Sequence, residues 1–134
     1  MIRYRADERP TRTPPAAYFT GDVQMDPIVE APAPARLRAI RVSFAPGART
    51  AWHTHPLGQT LHVLSGAGRF QTKGEAVVTL LPGDTVWIPP GETHWHGAAP
   101  DAGMVHLAMQ EADADGTTAH WMEKVTDEEY AAST

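Results

Sequence analysis

Short apolar runs separated by proline and glycine turns occupy most of this 134-residue chain. Nine of them are rich in β-branched and aromatic residues and alternate apolar with polar positions, which is typical of strands that bury one face. They span residues 18–25, 36–44, 50–55, 59–66, 68–74, 76–83, 84–90, 94–100 and 104–111. No stretch keeps a 3.6-residue apolar period for more than two turns. The pattern therefore predicts an all-β sandwich or barrel.

The two ends of the chain differ from this pattern. Residues 1–17 are polar and rich in proline, which predicts an extended N-terminal arm followed by one domain over residues 18–134. Near the other end, Thr126 is followed three residues later by Glu129, the signature of a capping box. We therefore expect a short C-terminal helix.

Composition narrows the classes of function. The net charge of −5 without a basic cluster argues against binding to nucleic acid or to an anionic membrane. No apolar run approaches 18 residues, and the positive N-terminus has no apolar segment behind it, so we expect a cytoplasmic protein without a membrane span or secretory signal. Cysteine is absent, so any metal must be held by histidine, glutamine or oxygen ligands.

Two pairs of histidines stand out. Because strand side chains alternate between faces, His53 and His55 share one face, and so do His94 and His96. One such pair arises easily by chance among seven histidines, but two pairs, each beside a Pro/Gly corner, indicate a metal site. Gln59 opens the next strand and faces the same interior if Leu61 does.

Two further strands offer pocket residues. In 104–111, His106 and Gln110 share a face. In 36–44, Ile40, Val42 and Phe44 share a face, where they form either the apolar wall of a small-molecule pocket or plain core.

At these residues the chain resembles the cupin family. "PGARTAWHTHPLGQTLHVLSG" is similar to the first cupin motif and "GDTVWIPPGETHWHGAA" to the second. The resemblance implies a single-domain jelly-roll (double-stranded β-helix) barrel with a metal held by three histidines and usually one glutamate. Carried over by position, the ligands are His53, His55, Gln59 and His94. The chain departs from the pattern where Gln59 replaces glutamate and Ala98 replaces asparagine.

A narrower resemblance covers about residues 18–130. The phrases "HWHGAAP", "HLAMQE" and "WMEKVTDEEY" look like those of small bacterial cupins with manganese-dependent hydroxynitrile lyase activity. That group shares the glutamine ligand and two extra pocket histidines, here His96 and His106. The resemblance implies Mn²⁺, whereas the ligand types alone also suit Fe, Co, Ni or Zn.

A neutral ligand set leaves a divalent ion its full charge, which makes it a stronger Lewis acid. Cleavage of a cyanohydrin into an aldehyde and cyanide, or the reverse addition, fits such a centre. We expect His106 to act as the base. His96 would orient it or protonate the leaving cyanide, and Gln110 would hydrogen-bond the substrate.

Two other functions stay open: a cupin dioxygenase that uses a transition metal and oxygen, and a barrel that binds a metal or small molecule without turnover. In each case the partner is a small molecule. Trp52 and Trp95 alternate with the metal-facing histidines and point away from them, which is consistent with a homodimer or a higher homo-oligomer of dimers.

Overall fold

The computed structural model describes residues 1–133. The strands are Phe19–Thr20 (β1), Val23–Glu30 (β2), Leu37–Phe44 (β3), Arg49–Thr50 (β4), His53–Thr54 (β5), Gln59–Gly66 (β6), Gly68–Thr72 (β7), Val78–Leu80 (β8), Thr85–Ile88 (β9), His94–Ala98 (β10), Met104–Glu111 (β11) and His120–Trp121 (β12). One helix, Asp127–Tyr130 (α1), follows them.

The strands form two curled antiparallel sheets. One has the order β2-β3-β11-β6-β9. In the other, β1-β4-β10-β5-β12 form the main path, while β7 pairs with β10 and β8 pairs with β7. The inner faces of both sheets contribute to one apolar core that includes Phe44, Leu61, Ile88 and Met104. The predicted all-β jelly-roll barrel is confirmed.

The strand predictions succeeded wherever alternation was long and regular. β6 and β11 coincide with the predicted runs, and β3 begins one residue late. The run 18–25 is wrong as a single strand because Gly21, with φ +80°, turns the chain between β1 and β2. β12 was not predicted, since two residues are too short to show a period.

The capping box forms as predicted. Thr126 Oγ1 accepts the backbone N–H of Glu129, and the Glu129 carboxylate accepts the N–H of Thr126. The helix then carries Tyr130 into the protein, where its hydroxyl donates to the Ala98 carbonyl at 2.6 Å. The short C-terminal helix is therefore confirmed.

Trp52 and Trp95 pack inside the chain. Both are buried in a second cluster with Val77, Val125 and Tyr130. They point away from the histidines as expected, but this chain's own C-terminal segment covers them. They consequently give no support to a subunit interface.

The N-terminal arm forms one backbone bridge with β2. Arg12 and Met25 exchange both backbone hydrogen bonds, each 2.8 Å long. A single 3-10 turn, Ala6–Glu8, interrupts the otherwise extended segment. The division of the chain at residues 17 and 18 stays a prediction. Among residues 1–133, no helix has the length and apolar character needed to cross a bilayer.

Gly66 ends β6 at a point where a side chain has no room. Its φ is +80°, and a Cβ would lie 1.9 Å from the Gly103 carbonyl oxygen. Gly74 has a φ of +87°, but a Cβ added there would have no atom within 4 Å. We expect Gly66→Ala to lower the free energy of unfolding by about 2–5 kcal/mol, which sums left-handed strain and overpacking. Gly74→Ala should cost only the strain, about 1–2 kcal/mol. Urea unfolding measures both, and equal losses would show that the Gly103 contact is unimportant.

Candidate metal centre and pocket

Three histidines meet where β5 lies beside β10. His53 of β5 is the direct antiparallel partner of His94 of β10, and their ring centroids are 4.2 Å apart. His55, two residues beyond His53 on the same face, lies 4.9 Å from His53 and 5.3 Å from His94. Period-two alternation and one strand pairing thus bring the three rings together.

Each of these three rings is held by a backbone carbonyl. The Nδ1 contacts are with Ala51 O for His53 (2.9 Å), Thr118 O for His55 (2.8 Å) and Glu92 O for His94 (2.9 Å). A carbonyl only accepts, so Nδ1 must carry the proton in each ring. The lone pair is therefore on Nε2, and Nε2 of His55 and of His94 is buried without a hydrogen-bond partner.

Gln59 adds an amide oxygen. It begins β6, directly opposite Gln110 of β11, and its Nε2 donates to Gln110 Oε1 at 2.5 Å. This bond occupies the nitrogen end of the Gln59 amide. Gln59 Oε1 is left buried without a partner. Gln110 therefore contacts Gln59, and its expected hydrogen bond to the substrate stays a prediction.

His96 and His106 form a separate pair. His106 Nε2 lies 2.9 Å from His96 Nδ1, and both rings are buried. A single proton fills this hydrogen bond, whichever ring donates it. The outer nitrogens, His96 Nε2 and His106 Nδ1, are buried without a partner. Neither ring is fixed by a backbone carbonyl, in contrast to the other three.

Burial keeps these imidazoles neutral. It lowers the pKa of His94 and that of His106 to about 4 each. Burial is also the largest cause that lowers the pKa of His53, His55 and His96, with neighbouring histidines adding to the effect. At neutral pH the cluster therefore offers lone pairs and N–H groups and no positive charge.

A cavity of about 160 Å³ opens beside these rings. It is lined by Phe19, Met25, Ile40, Val42, Phe44, Thr50, His53, His55, Gln59, His96, His106, Ala108, Gln110, Thr118, Ala119 and Trp121. None of these side chains is acidic or belongs to lysine or arginine. Ile40, Val42 and Phe44 lie together in this wall. A cavity smaller than the typical range of roughly 300–1,000 Å³ suits a compact, largely apolar ligand.

A second cavity, of about 310 Å³, lies between the N-terminal arm and β2. Arg3, Arg5, Arg9 and Arg12 line it, and none of the seven histidines does. Its two carboxylates, Glu8 and Glu30, pair with Arg5 and Arg12, so the cavity beside the imidazoles is the candidate functional site.

Comparison with known proteins identifies the family. The model of the cupin domain matches residues 40–109, which include every histidine described above. The chain belongs to the cupin family. It is also 59% identical over 116 residues to a protein of Granulicella tundricola named (R)-mandelonitrile lyase. The aligned residues cover 87% of this chain and 88% of that protein.

Solved structures extend the likeness to the whole fold. The crystal structure of a cupin-like protein from Thermotoga maritima is 40% identical, with a TM-score of 0.82 and coverage of 88% of this chain and 89% of that one. The polyketide cyclase RemF from Streptomyces resistomycificus, at 16% identity, has a TM-score of 0.77 and covers 97% of this chain and 90% of that one. The second likeness shows the fold alone.

The donors of this cupin fit a metal ion. Buried acceptor atoms without a partner cost about 1–3 kcal/mol each, and a cation would satisfy several at once. Nitrogens of His53, His94 and His96 lie within 4.8 Å of one another. This buried group could bind a metal, and it differs from the motif set by including His96 in place of His55.

Sequence reasoning did not assign seven residues that line the cavity: Phe19, Met25, Thr50, Ala108, Thr118, Ala119 and Trp121. Phe19 and Met25 lie in the run that was predicted as one strand. Thr118 and Trp121 lie in a segment without alternation. The only signal available was Trp121 itself, in the phrase "WMEKVTDEEY".

The bond between Gln59 and Gln110 generates a prediction. Gln110→Leu removes the acceptor and lets the Gln59 amide rotate, so we expect Mn²⁺ affinity to fall about tenfold or more. Gln110→Glu keeps an acceptor for Gln59 Nε2 and should bind Mn²⁺ at least as well as the unsubstituted protein does. Titration followed by the electron paramagnetic resonance signal of free Mn²⁺ measures both. Parental affinity in Gln110→Leu would contradict a role for this bond.

Proposed function

We propose that this cupin is a metal-dependent hydroxynitrile lyase, which splits cyanohydrins such as mandelonitrile into an aldehyde and cyanide and also runs the reverse addition. The observation that carries the proposal is the pair His96–His106, two neutral imidazoles outside the carbonyl-held set that line a small uncharged cavity. The identity to a named mandelonitrile lyase supports the same reaction.

We assign His53, His55, Gln59 and His94 as metal ligands. A metal-bound histidine nearly always donates its other ring N–H to a carbonyl or carboxylate. His53, His55 and His94 each have such a carbonyl, whereas His96 has only His106. The tautomers therefore favour the motif set over a set containing His96. We propose Mn²⁺ as the ion, on the basis of the resemblance to manganese-dependent cupins.

When bound, the ion supplies Lewis acidity, which lowers the pKa of a hydroxyl near it. That effect matches a buried base, because a His106 pKa of about 4 is too low to deprotonate an ordinary alcohol. The uncharged ligand set leaves this acidity undiminished, and no carboxylate lines the cavity to offset it.

The two histidines provide a path for one proton. His106 Nδ1 accepts the proton of the substrate hydroxyl, the oxygen lone pair forms the C=O bond, and the C–CN bonding pair leaves with cyanide. His106 passes its Nε2 proton to His96 Nδ1, and His96 Nε2–H gives a proton to cyanide. The products are an aldehyde and HCN, and the histidine pair ends neutral with both tautomers exchanged. The starting tautomers return when His106 Nδ1–H releases its proton to water, the shared proton moves back from His96 Nδ1 to His106 Nε2, and His96 Nε2 takes up a proton from water.

The apolar wall formed by Ile40, Val42 and Phe44 would hold the organic part of the substrate. Phe44 also packs against both proton-carrying rings. Its ring centroid lies 5.3 Å from that of His106 and 6.0 Å from that of His96. This contact limits where those rings can turn. We propose that Phe44 keeps the pair aligned while Ile40 and Val42 exclude water.

We further propose that the protein assembles as a homodimer or as a higher homo-oligomer of dimers. Support comes from the outer face of the five-stranded sheet, where Trp87 is 60% exposed. Thr60 of β6 pairs with Trp87 of β9 on one side and with Met109 of β11 on the other, so two large apolar side chains flank it on this face. Leu37 and Leu64 are exposed as well. Such a face suits contact with a second sheet.

The first test is cyanide release from mandelonitrile under nitrogen. Protein stripped of metal should be inactive, and reloading with Mn²⁺ should restore release without oxygen. Mn²⁺-loaded protein that releases no cyanide would overturn the lyase. Release that requires air would point to oxygen chemistry.

Two histidine variants separate metal binding from proton transfer. His106→Ala should keep Mn²⁺ and lose about 10²–10⁴-fold in kcat, the usual contribution of a general base. His94→Ala should lose both Mn²⁺ and activity. His62→Ala is the matched control, because His62 bonds Thr85 Oγ1 and lies outside the cavity. Unchanged kcat in His106→Ala would refute its assignment as the base.

A further inference from the structure

The chain segment 117–121, here called the strap, borders the candidate site. Thr118, Ala119 and Trp121 line the cavity, and the segment ends in β12, which pairs with β5. Neither of the two cupin motifs covers these residues, although the phrase that begins at Trp121 belongs to the narrower resemblance. Their contacts nevertheless reach two of the proposed metal ligands.

The first contact is made by a backbone carbonyl. His55 Nδ1 donates to Thr118 O at 2.8 Å, across 63 residues of sequence. This hydrogen bond fixes the tautomer of His55 and directs its Nε2 lone pair inward. If the strap moved, His55 would lose the carbonyl that keeps the proton on Nδ1 and the lone pair on Nε2.

The second contact is made by an aromatic ring. Trp121 is the backbone partner of His53, and its ring stacks on the His53 imidazole with centroids 4.4 Å apart and planes inclined by 27°. Tyr18 stacks on Trp121 in turn, at 4.8 Å and 9°. The orientation of the His53 ring therefore depends on Trp121 as well as on its own hydrogen bond.

The strap is anchored outside the site at both ends. Asp113 Oδ1 accepts the backbone N–H groups of Asp115 and Thr117, each at 2.9 Å. At the other end, Met122 N–H donates to Trp52 O at 2.9 Å. These bonds set where Thr118 and Trp121 lie without touching any imidazole.

We propose that the strap is a second layer of the metal centre, in which Trp121 and the Thr118 carbonyl position His53 and His55, and Asp113 positions the strap. This rests on the proposed metal-dependent function. It adds positioning residues that no ligand motif identifies, and it makes metal affinity depend on an aspartate turn remote from the ligands. Groups that orient metal-bound histidines typically change affinity about 10–100-fold when removed.

Trp121 is tested by two replacements and a control. Trp121→Leu removes the stacking ring and should weaken Mn²⁺ binding about 10–100-fold, whereas Trp121→Phe keeps a ring and should recover most of the affinity. Tyr4→Leu, at an exposed aromatic residue of the N-terminal arm outside the cavity, should bind Mn²⁺ like the parent. Far-ultraviolet circular dichroism of metal-free Trp121→Leu should match that of metal-free Trp121→Phe, which a general loss of structure would not permit. Parental Mn²⁺ affinity in Trp121→Leu would overturn the role of Trp121.

Asp113 supplies an independent test if Trp121→Leu fails to fold. Asp113→Ala removes two anchoring hydrogen bonds and should weaken Mn²⁺ binding at least about tenfold. Asp115→Ala changes the same charge two residues away but keeps both bonds, because Asp115 contributes its backbone N–H. The thermal midpoints of the metal-free variants report whether each protein is folded. Equal Mn²⁺ affinities in folded Asp113→Ala and Asp115→Ala would overturn the strap proposal.

The two proposals fail in different ways. If the parent binds Mn²⁺ and releases no cyanide, the lyase is wrong, while loss of affinity in Trp121→Leu and Asp113→Ala still supports the strap. If cyanide is released and all strap variants bind Mn²⁺ like the parent, the strap proposal is wrong and the lyase stands.

Discussion

Burial of neutral imidazoles is the constraint on which the site depends. A buried imidazole cannot keep a second proton, because the charged form loses its hydration, and burial accordingly lowers the pKa of all five site histidines. Each ring then presents one N–H and one lone pair. Where a backbone carbonyl takes the N–H, the lone pair is left for a cation; where another histidine takes it, the pair can carry a proton. Hydrogen-bond partners thus divide chemically identical side chains into two groups.

The barrel makes this division possible because its strand pairing brings together histidines that are far apart in the sequence. β10 pairs with β5 through His94 and His53, and β11 lies in the other sheet, where His106 reaches across to His96. The interior that brings them together is otherwise apolar, which provides the desolvation. The same packing leaves no acidic side chain in the cavity wall, so the residues around Gln59 in this wall are uncharged.

Much of the fold follows from local pattern. Regular alternation predicted β3, β6 and β11 almost to the residue, and the capping box predicted α1. Turns divided the run 18–25, and β12 exists only because it pairs with β5. Trp52 and Trp95 show the same limit. Alternation correctly directed them away from the histidines, but only the packed C-terminal segment determined that they are covered within one chain.

The sequence by itself determined which side chains face the interior, because the period of two is a property of the extended backbone. It also determined the family, since the two motifs are contiguous segments. Only the tertiary structure decided the hydrogen-bond partners: Thr118 for His55, Gln110 for Gln59, and His96 for His106. These contacts join residues that are 63, 51 and 10 positions apart. Strand register and loop path, rather than alternation, set such distances, and they fix which atom of each side chain is free to react.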